Sequence, residues 1–355
     1  MNIKINIILF MSILEIAKLA SVSHTTVARV INNEGKVKPQ TADRIRKIIK
    51  QIGYTPKPVH LRPGPHRKQE NGLRTGNVAF LASSRGIRIS SESPIMIEIM
   101  HAISDELVNS GMSMIQGALD KNRPLSPLVA RGEVDGILVF NDLSCTDMAT
   151  REFLRQYPVV YLMTGEDDVP GDRICPDNTA IGQLAAEYLI RKGCKDILYF
   201  TPRKNNPISM WSSRWDMFNT VASRNGVRVR EVIIETGEHD SSLNSPSVKE
   251  KINEFVLEYF VRNPAPDGLF VAYDVVTAIL YPILQRHGIK IGEKLHMISC
   301  NNEVSLLAGL EPKPARIDLQ PKLIGKYAVD QLIERMQNPD GQKHLVIRVQ
   351  PLLIE

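Results

Sequence analysis

Residues 55–75 cannot be packed into a core, and that fact divides the chain. The stretch holds Pro56, Pro58, Pro63, Gly64, Pro65 and Gly72 among the cations Lys57, Arg62, Arg67 and Lys68. Proline removes backbone donors, glycine leaves the backbone unrestrained, and like charges repel one another. The stretch therefore reads as a linker. A few dozen residues precede it and the great majority of the 355 follow, so two folded units of unequal size are expected.

The two sides differ in pattern. Ser12–Tyr54 reads as three short helices. Ser12-Ile13-Leu14-Glu15 has capping-box spacing ahead of a helix running to about Ala20. Ala20-Ser21-Val22 is a tight connection, and Ser23 can cap a second helix through about Asn32. Pro39 suits a first turn, and the third helix, Gln40–Ile52, stops at Gly53 with Ile45, Ile48, Ile49 and Ile52 on one face. From Asn77 onward apolar runs alternate with helical segments. Val78–Ala82 precedes Ile95–Ser110, Gly136–Phe140 precedes Thr150–Gln156, and Val159–Met163 precedes Thr179–Lys192. Ile197–Thr201 precedes Arg214–Asn225, Val229–Glu235 precedes Ser247–Arg262, and Gly268–Ala272 precedes Val275–His287. His296–Cys300 is followed by a helix Leu323–Gln337 and a strand Leu345–Val349. Such alternation predicts parallel sheets with helices on both faces, and a body this long predicts two of them. The expected fold is a small all-α head (12–57), a Pro/Gly-rich basic linker (58–77), and an α/β body (78–355) of two doubly wound parallel-sheet subdomains.

Charge points to the head's partner. Between Ser12 and Glu70 there are twelve lysines and arginines against Glu15, Glu34, Asp43 and Glu70, whereas the whole chain carries only +5. A basic head on a mildly acidic body is the balance of a nucleic-acid-binding module joined to something with another task. No run approaches the ~20 apolar residues of a membrane helix, so no membrane partner is expected. Met1–Met11 is apolar, with Lys4 as its only charge, but is too short and lacks the cleavage site of a secretory signal. The cytoplasm is the expected compartment, and Met11 the expected start, with the first ten residues loosely packed otherwise. Cys145, Cys175, Cys194 and Cys300 form no CxxC pair and read as reduced thiols. GxSxG, HExxH, P-loop and GxGxxG motifs are absent, and the eight histidines lack metal-ligand spacing, so no enzyme, cofactor or metal site is expected. An enzyme fused to a DNA-binding head and a purely architectural DNA protein are the rival classes.

Ile16–Asn32 carries the spacing of a DNA-reading motif. Ala17, Ala20, Val22, Val27 and Val30 can form the crossing between two short helices, with Ala20 small where the backbones approach. Ser23, His24, Thr25, Thr26 and Arg29 occupy the start and outer face of the second helix, the end that enters the major groove in a helix-turn-helix.

The runs EIAKLASVSHTTVARVINN and VKPQTADRIRKIIKQIGYTP resemble the lactose repressor/galactose repressor family through almost the whole head. The resemblance implies that His24 and Thr25 read bases, that Thr26, Ala28 and Asn32 face the backbone, and that Tyr54 contacts a phosphate. It places Arg29 at a base-contacting arginine, suited to the O6/N7 edge of guanine. The linker departs from the family, whose short hinge folds into a helix on the operator and wedges a leucine into the minor groove. Here Pro63 falls near that leucine's place, Leu61 lies two residues earlier, and Pro63-Gly64-Pro65 would break a helix. Leu61 and Arg62 remain candidate DNA contacts, in a hinge helix or in an extended basic segment along the phosphates.

The body resembles the same family, and hence periplasmic sugar-binding proteins. The matching segments are Val134–Leu138, Pro158–Tyr161, PDNTAIGQLAAEYLIRKGCKDILYF, Ser213–Phe218 (with Met217 where the family has glycine), and Ala272–Ala278. Asp177-Asn178 is expected at the crossing between subdomains. Ser299–Asn302 reads SCNN where the family has GFDD. The resemblance implies a repressor whose small polar effector, a sugar or sugar derivative, lies between the subdomains, and a homodimer on a palindromic operator with the body as dimer contact. A polyol pocket needs paired donors, a carboxylate acceptor and an aromatic floor. Arg214, Asp274, Asn301 or Asn302, and Trp211 or Trp215 are the candidates. The loss of acidic groups in SCNN implies an effector with fewer donors or with negative charge of its own, such as a sugar acid or phosphosugar, and leaves a purine open.

Overall fold

The computed structural model describes residues 13–32, 37–52, 54, 73–83, 94–120, 124–140, 148–164, 171–203, 211–235, 245–262, 264–338 and 344–355. Chain contacts divide it into two compact units, Met1–Arg67 and Lys68–Glu355. The head comprises α1 (Ile13–Leu19), α2 (His24–Asn32) and α3 (Pro39–Ile52). Ile16, Ala17, Ala20, Val27, Val30, Ala42 and Ile45 form its buried core, and Ile48, Ile49 and Ile52 pack against it.

In the body, β1 (Asn77–Ala82), α4 (Pro94–Asn109), β2 (Ser113–Ala118), α5 (Pro127–Ala130), β3 (Gly136–Phe140), α6 (Met148–Leu154), β4 (Val159–Leu162) and β5 (Asp172–Pro176) belong to the first subdomain. The second contains α7 (Asn178–Arg191), β6 (Asp196–Arg203), α8 (Trp211–Arg224), β7 (Arg228–Glu235), α9 (Pro246–Val256, continued as a π-helix through Arg262), β8 (Gly268–Val271), α10 (Asp274–Arg286), β9 (His296–Asn301), α11 (Val304–Leu307) and β10 (Ala315–Asp318). The chain then returns to the first with α12 (Pro321–Gln337) and β11 (Val346–Val349), and ends in the second with β12 (Leu352–Ile354). The strand orders are β11-β5-β4-β3-β1-β2 and β12-β10-β9-β8-β6-β7. Every pairing is parallel except β10 with β12, so the expected two parallel α/β subdomains form, with one antiparallel edge. Strands β1 and β3, buried along almost their whole length, read as continuous apolar runs because helices cover both faces.

Polar residues fix the ends of these elements. Asp135, at the entry to β3, accepts hydrogen bonds from Arg74 N, Thr75 N, Thr75 Oγ1 and Gly76 N at 2.6–3.0 Å, which anchors the chain where the body begins. Asp172, its side chain fully buried at the start of β5, accepts from Arg335 Nε and Nη2 (2.8 and 2.7 Å), Gln331 Nε2 (3.0 Å) and Leu345 N (2.9 Å). Burial opposes its ionisation, but these donors win and hold its carboxyl below the usual carboxylate range.

The chain crosses between subdomains three times, after β5, β10 and β11, and Asp177-Asn178 lies at the first crossing as expected. The crossings are bonded to one another. Asp177 N donates to Val349 O at 2.9 Å, Gln350 Nε2 to Asp177 Oδ2 at 2.9 Å, and Gln320 Nε2 to Gln350 O at 2.5 Å. Gln320 adopts a left-handed conformation (φ 56°) to turn the second crossing into α12.

Candidate functional site

The candidate DNA-reading surface is built around the turn from α1 to α2. Ser21 reverses the chain with φ 51°, and Val22 N donates to Ala17 O at 3.0 Å. Ser23 then caps α2, its Oγ accepting from Thr26 N at 3.2 Å and lying 2.9 Å from Thr26 Oγ1. With the apolar side of α2 committed to the core, Ser23, His24, Thr25 and Arg29 stand exposed, and Thr26 and Ala28 are partly so. Asn32 closes α2, and Tyr54 packs against the head core, half-buried. Leu61, Arg62, the hinge-helix question, Met1–Phe10 and Cys145 lie outside the described residues. Cys175, Cys194 and Cys300 are free and buried.

In the body the ends of β8 and β9 converge with the first turns of α7, α8 and α10. Arg214, in the first turn of α8, is only 1% exposed. Its Nε and Nη2 donate to Asn178 Oδ1 at 3.3 and 2.8 Å, and its Nη1 to Ala272 O at 3.3 Å. Its position depends on a glycine: a Cβ on Gly182 of α7 would lie 2.1 Å from Arg214 O. Asp274, the first residue of α10, is completely buried. Its Oδ1 accepts from Ser299 Oγ, which lies 2.7 Å from Thr277 Oγ1, and its Oδ2 accepts from Glu303 N at 2.6 Å.

Electrostatics join these groups. Burial pushes the Asp274 carboxyl up to about 7, against the bonds from Ser299 and Glu303 N that favour its charge; the Glu303 carboxylate adds to the rise and Arg316 opposes it. Burial likewise raises the Cys300 thiol to about 11, with Arg214 lowering it and Asp274 and Glu303 raising it. One cation and two carboxylates thus act on a single buried thiol at the end of β9.

The candidate residues fall into different settings. Arg214, Asp274 and Asn301 come to neighbouring strand ends, Asn301 buried with φ 116°. Asn302 (φ 61°) is engaged elsewhere: Arg316 Nε donates to its Oδ1 at 2.5 Å, and its Nδ2 to Asp318 Oδ2 at 3.0 Å. Trp215 is partly buried, its ring edge-on to Tyr199 with centroids 5.0 Å apart. Trp211 opens α8, and its side chain lies outside the described residues. Asn178, Ser299 and Glu303 were missed by the sequence reading, although Asn178 stood in a matched segment and Glu303 directly follows SCNN. A groove of about 810 Å³ is lined by α9 and α10, with Val275, Ile279, Pro282 and Leu306 in its wall.

Comparison with known proteins places both parts. Residues 12–57 match the bacterial regulatory proteins of the lacI family, and residues 186–355 match a periplasmic binding protein-like domain. The chain is 26% identical over 339 residues to the HTH-type transcriptional repressor PurR of Aliivibrio salmonicida, covering 94% of this chain and 95% of that one. Its fold is similar to that of the transcriptional regulator CelR in complex with cellobiose (18% identity, TM-score 0.62). It is also similar to that of the lac repressor dimer bound to operator and the anti-inducer ONPF (17% identity, TM-score 0.59). Each alignment covers 97% of this chain and 98% of the other. The chain thus joins a head that matches the lacI family of bacterial regulatory proteins to a body that matches a periplasmic binding protein-like domain.

Proposed function

We propose that this repressor binds a palindromic operator as a homodimer in the cytoplasm, and that a small neutral polyhydroxy compound, a sugar or sugar derivative, sets its operator affinity from the cleft between the body subdomains. The observation that carries the effector reading is the gathering of Arg214, Asp274 and Asn301 at the ends of adjacent elements, where ligands bind in open α/β sheets. The complex of CelR with cellobiose supports a sugar by fold-level likeness. Arg214 and Asp274 are bonded to Asn178, Ala272 O, Ser299 and Glu303 N, so they also hold the cleft wall in shape.

The cleft is not poor in acid groups, as SCNN alone suggests. Glu303 restores a carboxylate one residue beyond it, within electrostatic reach of Asp274. Two carboxylates favour a ligand rich in hydroxyl donors and disfavour a sugar acid or phosphosugar. On the DNA side, one helix-turn-helix reads only a few base pairs, so two-fold symmetry doubles the contact.

A thermal-shift screen of the full chain against neutral monosaccharides and disaccharides, sugar phosphates, uronates and nucleobases tests the effector class. A neutral sugar at 100 times its Kd should stabilise by about 2.7 kcal/mol. Stabilisation by anionic sugars alone would overturn the neutral assignment, and by nucleobases alone the sugar assignment. Sedimentation in the presence of a palindromic operator tests the stoichiometry: one monomer per operator overturns the dimer.

A further inference from the structure

We propose that Glu303 is a clasp across the cleft, holding the two body subdomains together before any effector binds and so setting the operator affinity of the empty repressor. The proposal rests on the cleft being the effector site, but the clasp itself needs no ligand.

Glu303 is bonded at both ends, to different subdomains. Its backbone N donates to Asp274 Oδ2 at 2.6 Å, within the second subdomain. Its side-chain Oε1 accepts from Ile95 N at 3.1 Å, in the first turn of α4 in the first subdomain. Glu303 also occupies the N-cap position of α11, yet its side chain makes no capping bond there. A carboxylate at that position ordinarily bonds its own helix; here it reaches across the cleft to the start of another.

The receiving end suits an anion. Helix α4 begins with Pro94, which has no N–H, so Ile95 supplies the first backbone donor at the positive end of a 16-residue helix. Ile95 is 7% exposed and Glu303 only 1%, so the contact is shielded from water, where a charge-assisted hydrogen bond is strongest. Burying a carboxylate is costly unless it is bonded, so separating the subdomains at this point would break a bond on each side of the exchange with water. The same residue is joined to Asp274, a candidate effector group. A ligand that shifts Asp274 therefore shifts the backbone from which the clasp extends.

Hydrogen exchange of the ligand-free full chain, read by mass spectrometry, tests the clasp with Glu303→Ala and Glu303→Gln. The glutamine keeps a carbonyl acceptor for Ile95 N, and the alanine has none. Glu303→Ala should speed exchange in the first turn of α4 at least tenfold, leave β1, β3 and β4 at wild-type protection, and change operator affinity several-fold without effector. Glu303→Gln should restore most of both. Unchanged exchange at the start of α4 overturns the clasp, and so does equal acceleration across both subdomains, which is the mark of general destabilisation. Altered exchange with wild-type operator affinity overturns the regulatory role. Loss of operator binding in the unmutated chain would instead overturn the repressor assignment.

Discussion

Gly182→Ala probes the joint between α7 and α8, on which the position of Arg214 depends. The added Cβ would lie 2.1 Å from Arg214 O, 3.0 Å from its carbonyl carbon and 3.0 Å from Phe218 N. All three are backbone atoms, so no side-chain rotation relieves the clash, and α8 must retreat by about 1 Å to reach ordinary contact. That movement disturbs a tight aromatic group: Phe218 stacks on Phe270 at 5.5 Å and meets Tyr199 edge-on at 5.3 Å. Overpacking of this kind costs about 1–3 kcal/mol, and a backbone clash belongs at the upper end. Alanine recovers about 1 kcal/mol in helix propensity. The net loss should be about 2 kcal/mol, or a fall in Tm of about 4–8 °C for a body of this size. Thermal unfolding by circular dichroism measures it, with Gly309→Ala as control, because a Cβ at Gly309 meets nothing within 4 Å and its backbone is not left-handed. The variant should also weaken any effector response, because Arg214 moves with its helix. A Tm for Gly182→Ala within 1 °C of wild type, or an equal drop for Gly309→Ala, would refute the steric argument.

Three further outcomes follow from the geometry. Arg29→Ala should cost about 1–3 kcal/mol in operator binding and relax discrimination at one base position per half-site; a uniform loss across all DNA sequences would make Arg29 a phosphate contact. Asp274 titrates at about 7 when folded against an ordinary 3.8. Its contribution to stability is therefore complete below the ordinary value and lost as pH rises through about 7, a loss of about 4 kcal/mol. Asp274→Asn should remove that component of the Tm slope between pH 5 and pH 8, and parallel slopes for the two proteins would count against it. Asp172→Ala removes the carboxylate shared by Arg335, Gln331 and Leu345 N and should cost about 3–5 kcal/mol in urea unfolding; a loss below about 1 kcal/mol would show that water replaces the carboxylate. Because the Asp172 pKa is lowered on folding, its contribution is present above the ordinary carboxylate range and fades as pH falls.

What the sequence showed, and what it hid, divides along physical lines. Strands such as β1, β3, β4 and β8 were legible because both faces are buried and apolar residues run continuously through them. Strands β2, β5, β10 and β12 went unread. β2 is an edge strand with half-exposed faces, and β12 has three residues. β5 and β10 carry Asp172, Arg173, Arg316 and Asp318, polar residues that serve networks rather than the core. The head was legible in detail because its contacts are local: Ser23 finds Thr26 three residues on. The body site was legible only in part. Arg214 lies in a recognisable motif, but its partners Asn178 and Ala272 stand 36 and 58 positions away, a relation that no periodicity encodes. Glu303 went unnoticed for the same reason, since its significance lies in its bond to Ile95, 208 residues earlier.

The same long-range bonding explains how a small ligand could act on a large joint. Asn301 and Asn302 are consecutive, yet their settings diverge: Asn301 is buried at the strand end beside the candidate ligand groups, whereas Asn302 turns toward the crossings. Asn302 is held by Arg316 and Asp318, Asp318 Oδ1 accepts from Gln320 N at 2.7 Å, Gln320 reaches Gln350 O, and Gln350 reaches Asp177. Both asparagines have left-handed φ values, so neither can shift its backbone smoothly into a neighbouring well. Under the proposed reading, a displacement at Asn301 acts first on Asn302, the next residue in the chain. From there it enters a chain of bonds touching all three crossings. With Glu303 reaching α4 on the next residue, two consecutive side chains are bonded to the strand that leads into the second crossing and to the opposite subdomain. Under the proposed effector reading, a segment arranged in this way would link occupancy of the cleft to the crossings by covalent adjacency, with no longer pathway through the core.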